Sequence, residues 1–157
     1  MTPAQLQLLK TAVLADPVLT AVGRNDTELA RLLNLPTAFI CWRQTVSQDE
    51  IMQNGFDWVR VDNLSSGKAR IWEWLFDNPQ RSINPSKLNV RAGIDECWKG
   101  TAPDLAVRAA VYVHCKRAAT RAEQILATGI GTDAVPGSFT FEGQITISDI
   151  GQMWNLE

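Results

Sequence analysis

Leu6, Leu9, Val13 and Leu14 recur at three- and four-residue steps, a spacing that predicts a helix with one face on a core. Thr2 sits where it can cap this helix, Pro3 falls in the first turn and Gln5 completes a capping box. Asp16-Pro17 breaks it and starts a second, short helix through Val22, closed by Gly23. Asn25 or Asp26 caps a third, with Leu29, Leu32 and Leu33 inward, and Pro36 ends it. The connecting loops are so short that these helices must fold back on one another.

The next stretch is less regular. Phe39-Ile-Cys-Trp42 is an apolar run that suits a helix or a strand. Ser47 and Glu50 form a second capping box, opening a helix that Asn54-Gly55 terminates. Phe56 to Val61 alternates and fits a short extended segment or a helical turn. Ser65 or Ser66 caps a helix over 66–77 whose apolar residues lie on more than one side, so two of its faces should be covered. Asn84-Pro85-Ser86 starts another that reaches Trp98 and ends at Gly100. Thr101 or Ala102, followed by Pro103, opens the longest predicted helix, running to Thr128 with Val107, Val111, Cys115, Ala118, Ala122 and Ile125 as its stripe and Gly129 as its C-cap.

Beyond Gly129 the period changes. A Gly/Thr/Pro loop leads to Phe139-Thr-Phe141, Glu142-Gly143 and Gln144-Ile-Thr-Ile147, which read as a β-hairpin. Ser148-Asp149 caps a last helical turn carrying Ile150, Met153 and Trp154. The expected fold class is therefore mainly α, a helical bundle with a C-terminal β-hairpin. Residues 1–157 read as a single helical domain, with 129–157 a loop, hairpin and short helix used for packing or assembly. A lone hairpin is marginal in water, so it must pack on the bundle or add to another chain's sheet edge.

Composition narrows the function classes. The 157 residues carry 15 Lys+Arg and 17 Asp+Glu, a net charge of -2, which excludes a generally basic coat for nucleic acid. Cys41, Cys97 and Cys115 form no CxxC-type pair and are expected as free thiols in a reducing compartment. No leader or apolar span is apparent, so the expectation is assembly in a cytoplasm without membrane contact. Six Trp against one Tyr suit packing and interfaces more than acid–base work.

The chemistry-bearing residues do not converge. His114 is the sole histidine and lacks an oxyanion-hole motif to pair with Cys41 or Cys97, while Cys115 beside it points elsewhere on a helix. One His and three scattered Cys lack zinc spacing. The carboxylate pairs Asp49/Glu50, Glu73/Asp77 and Asp95/Glu96 read as solvated or base-paired, with Arg70 and Arg81 within a turn of the second. Gly129-Ile-Gly131 follows a helix, not a strand, and is no phosphate cradle. The expectation is no enzyme, no cofactor and no metal. Arg117 and Arg121 would share one face of the long helix and could line a DNA-passing lumen by phosphate attraction, although ion pairs such as Arg91 with Asp95 compete for such bases. Trp72 and Trp74 diverge on a helix, one for the core and one for an interface, while Trp42, Trp58, Trp98 and Trp154 default to core.

Several stretches carry a resemblance: Val46 to Trp58, Gly67 to Trp74, Asn89 to Gly100, Arg117 to Glu123 with Ala127 to Gly131, and Phe141 to Asp149. Together they resemble a family of tailed-bacteriophage virion assembly proteins, and the resemblance implies a virion structural role. Size, helical class and hairpin point within it to a head-to-tail connector, an adaptor ring under the portal that extends the DNA channel. Its partners would be its own copies, in a ring of about twelve, the portal, and neighbouring neck or tail proteins, with non-specific contact to packaged DNA. Trp72, Trp74, Phe139, Phe141 and Trp154 are the expected oligomer-interface residues. A tail terminator or minor capsid protein of the same virion is the alternative. A small DNA-binding regulatory module is the competitor of another class, and it has only Lys10, Arg24 and Arg31 as bases in its would-be recognition region. A Cys-dependent hydrolase is the enzymatic competitor.

Overall fold

The computed structural model describes residues 1–53 and 56–156. Among them the chain forms α1 (Pro3–Ala15), α2 (Pro17–Thr20), α3 (Asp26–Leu33), β1 (Pro36–Trp42), β2 (Val46–Ser47), α4 (Gln48–Ile51), α5 (Trp58–Asp62), α6 (Ser66–Leu75), β3 (Ser82–Ile83), α7 (Leu88–Cys97), α8 (Ala102–Cys115), β4 (Lys116–Thr120), α9 (Arg121–Leu126), β5 (Gly137–Ser138) and α10 (Ile147–Trp154). The fold is mainly α. The chain divides into two compact units: Met1–Cys41 with Ala118–Glu157, and Trp42–Arg117.

The first unit starts as its sequence dictates. The Thr2 hydroxyl accepts the Gln5 N–H at 3.3 Å, and the Gln5 amide oxygen accepts the Thr2 N–H at 2.9 Å. Leu6, Leu9 and Val13 then enter a core with Leu19, Leu29, Leu33, Ile150 and Met153. Asp16 closes α1 and caps α2, accepting the Val18 N–H at 2.9 Å, and its carboxylate also pairs with Arg121. The apolar run at 39–42 settles as β1, the middle strand of a sheet ordered β4-β1-β5.

In the second unit, β2 and β3 form an antiparallel two-residue ribbon with Val46 opposite Ile83. The Ser47/Glu50 box caps α4 as expected, with the Ser47 N–H at 2.9 Å from the Glu50 carboxylate. The helix stop expected at Asn54-Gly55 lies outside the described residues. Residues 56–61 resolve in favour of a helical turn, α5, capped by Asp57. The helix expected from Asn84 starts later, at Leu88, with Lys87 as a cap that makes no side-chain hydrogen bond.

Two expectations fail. The long helix over 102–128 does not exist. α8 stops at Cys115, β4 runs extended beside β1, and α9 restarts at Arg121. The restart is chemical: Thr120 and Glu123 form a capping box, the Glu123 carboxylate accepting the Thr120 N–H at 2.8 Å. Gly129 therefore caps no long helix, because α9 ends earlier, at Leu126.

The C-terminal β-hairpin also does not form. Only Gly137–Ser138 is strand, and residues 139–146 are irregular. Side chains, rather than a sister strand, hold several of their backbone groups. The Asn34 amide donates to the Ile145 carbonyl and accepts its N–H, both at 2.8 Å. Gln5 donates to the Thr140 carbonyl at 2.8 Å, and Glu123 accepts the Gly143 N–H at 2.9 Å. The final helix is capped by Thr146, with Asp149 as its reciprocal partner.

Two glycines of the 129–137 loop lie against the Phe39 ring. A Cβ on Gly131 would meet that ring at 2.2 Å, and its φ of 75° is left-handed. Gly131→Ala should cost about 1–3 kcal/mol, read as a lowered urea midpoint of the protein; an unchanged midpoint would contradict the packing. Asp16 supplies a pH signature. Burial raises its pKa, but the Leu19 and Val18 N–H groups and the Arg121 guanidinium outweigh that and hold it below the ordinary carboxyl value. A depressed folded pKa stabilises above the unfolded pKa and is lost as pH falls through the folded one. Asp16→Asn, which keeps the cap and drops the charge, should therefore lose less stability than wild type between about pH 5 and pH 2.

Candidate interaction surface

The second unit is organised around Trp72. Its ring stacks on Phe56 at 5.9 Å and meets Phe76 and Trp98 edge-on at 5.1 and 5.3 Å. Two residues along a helix point nearly opposite ways, so Trp74 faces outward, 65% exposed against 3% for Trp72. Beside Trp74 opens a cleft of about 690 Å³, lined by Gln48, Met52, Trp58, Val61, Trp72, Glu73, Trp74, Phe76, Asp77, Asn78 and Arg81. Trp58, the first residue of α5, stands 56% exposed on its wall and meets Phe56 edge-on at 5.3 Å.

A tight turn holds one side of the cleft. The Asn78 amide donates to the Ser82 carbonyl at 2.7 Å and accepts its N–H at 3.2 Å. Arg81 inside this turn has φ of 44°, a left-handed conformation uncommon outside glycine. Its carbonyl accepts the Gln48 N–H at 2.8 Å, tying the turn to α4.

The cleft has a negative side. Glu73 and Asp77 are exposed at the C-terminal end of α6, where the helix dipole is already negative. α6 has no basic residue in its last turn, and neither carboxylate has an ion-pair partner among the described residues. Arg70 lies over the Trp74 ring at 5.4 Å, leaving Arg81 as the base among the lining residues.

The other expected interface residues divide. Trp72 and Phe139 are sealed in the cores of their units, 3% and 5% exposed, so neither can supply a subunit contact. Phe141 and Trp154 are half-buried on the first core, and the Trp154 indole donates to Asp26 at 3.2 Å beneath Arg24. The shared basic face of Arg117 and Arg121 is also corrected. Arg117 lies in β4, Arg121 opens α9, and the Arg121 guanidinium is held by Asp16. Arg91 does not pair with Asp95. It donates to the Pro85 and Ser86 carbonyls at 2.6 and 2.9 Å and covers Trp42 at 4.8 Å, while Asp95 accepts the Tyr112 hydroxyl at 2.9 Å.

Trp58 was expected in the core. The signal against it is local: α5 is five residues long, is capped by Asp57 and carries Arg60 and Asp62, so it has too little apolar length to bury both of its sides. Among the described residues no group of three His, Cys, Asp or Glu is arranged to hold a metal, and no helix is long and apolar enough to cross a membrane. Comparison with known protein families, curated proteins and solved structures finds no match to this chain.

All three cysteines are buried. Burial pushes the Cys97 thiol up to about 11 and the Cys115 thiol up to about 12, which keeps both protonated and poorly nucleophilic at neutral pH. Iodoacetamide at pH 8 should leave Cys97 and Cys115 unmodified in the native protein and alkylate them in denaturant. Rapid native labelling of either would contradict this placement.

Proposed function

We propose that the protein is a structural subunit of a tailed-phage virion, acting as a head-to-tail connector that forms a ring at the portal vertex around the DNA channel. The resemblance of the stretches between Val46 and Asp149 to phage virion assembly proteins supports the class of function. The observation that carries the reading is the exposure of two large aromatic side chains, Trp58 and Trp74, at one cleft of the second unit. Indole rings left in water beside a concave surface favour burial against another protein, and tryptophan is enriched where binding energy concentrates. The partners are further copies, the portal, and neighbouring neck or tail proteins. DNA contact in the channel is non-specific, and Arg121 takes no part because Asp16 holds it.

The test is attachment to portal-containing heads lacking this chain. Wild-type protein should bind and appear in purified virions at about a dozen copies. Trp74→Ala should weaken attachment by about 2 kcal/mol or more while changing stability by less than about 0.5 kcal/mol, because the side chain is exposed. Absence from virions, or failure of wild type to bind heads, would refute the connector role.

A further inference from the structure

The cleft is negative and aromatic, and the same chain carries a knob of the opposite character. Leu88, the first residue of α7, is 73% exposed. Lys87 precedes it, also exposed and without an ion-pair partner among the described residues. Among the exposed large apolar side chains, Leu88 is the one whose neighbour is a cation with no acceptor; Arg60 beside Val59 is engaged by Asp57. Lys87 also stands at a helix start with no side-chain cap and no acid in the first turn, so the dipole adds positive charge there. The cleft reverses each term: two unpaired carboxylates at a helix end whose dipole is negative, walled by indole rings.

We infer that the cleft of one copy receives the Lys87–Leu88 knob of a second copy. The Lys87 ammonium meets Glu73 and Asp77, and the Leu88 side chain covers Trp58 and Trp74. A volume of about 690 Å³ accommodates a lysine and a leucine side chain together. The left-handed Arg81 on the cleft wall fits a site held in a costly shape for binding. Opposite charge fixes the register and apolar cover supplies affinity. One such contact is small, so it is weak in solution and strengthens when copies are gathered on a common platform. This inference rests on the connector reading, in which copies stand side by side.

Sedimentation velocity on the full chain, up to about 1 mM, tests it with charge reversals on exposed side chains, folding being checked by circular dichroism. Wild type should self-associate with rising concentration. Lys87→Glu alone, and Glu73→Lys with Asp77→Lys, should each weaken association about ten-fold or more. Combining all three reversals should restore it. Association unchanged by either reversal, or no restoration in the combined variant, overturns the pairing. A wild type that stays monomeric throughout also overturns it. If that monomer still attaches to heads and Glu73→Lys with Asp77→Lys abolishes attachment, the cleft belongs to a foreign cationic segment and the connector role survives. If it does not attach, the connector role falls with it.

Discussion

The rotation of α6 that stacks Trp72 on Phe56 is the constraint from which the exposed side of the second unit follows. Two tryptophans competed for the interior of this helix. Each would bury roughly 150–250 Å², so size does not decide between them. Their helical neighbours do. Trp72 shares its side with Ala69, Leu75, Phe76 and a single charge, Lys68, whereas Trp74 shares its side with Ile71, Asn78 and two charges, Arg70 and Asp77. Burying Trp74 would carry those charges inward without partners, at several kcal/mol each. Burying Trp72 leaves its indole N–H without an acceptor among the described residues, a loss of about 1–3 kcal/mol. The second arrangement costs less, and it puts an indole and two carboxylates in water at one place.

The first unit is held differently. Its helices present the spacing that their sequence promises, but residues 139–146 are bound by side-chain clamps from distant parts of the chain. Such clamps satisfy backbone donors and acceptors as a sheet would, without requiring a partner strand. Glu123 shows the economy of the arrangement: one buried carboxylate caps α9 through the Thr120 N–H and holds the Gly143 N–H.

The parts of the fold legible in the sequence are those governed by neighbours a few residues away. The boxes at Thr2/Gln5 and Ser47/Glu50 and the cap at Thr101 all form as read. Thr120-x-x-Glu123 carried the same signal and would have marked the break in the long helix, but the alanine-rich stripe around it reads as continuous. Tertiary pairing of β4 with β1 overrode that propensity. The alternation from Phe139 to Ile147 marked Phe139 and Ile145 as buried, but it failed at Ile147, which is 55% exposed, and it said nothing of what would satisfy the backbone. That role fell to Asn34, 111 residues from Ile145, which no local pattern reveals. The cleft was half legible. Glu73, Asp77, Arg70 and Arg81 were visible as neighbours of Trp74, while Trp58 joins them only through the packing of α5 against Phe56.

Hydrogen exchange of the six indole N–H groups, followed by nitrogen-15 NMR at neutral pH, tests the rotation of α6 most directly. The Trp58 and Trp74 signals should vanish at once in heavy water while those of Trp72 and Trp98 persist. Rapid exchange of Trp72 alongside a protected Trp74 would contradict it.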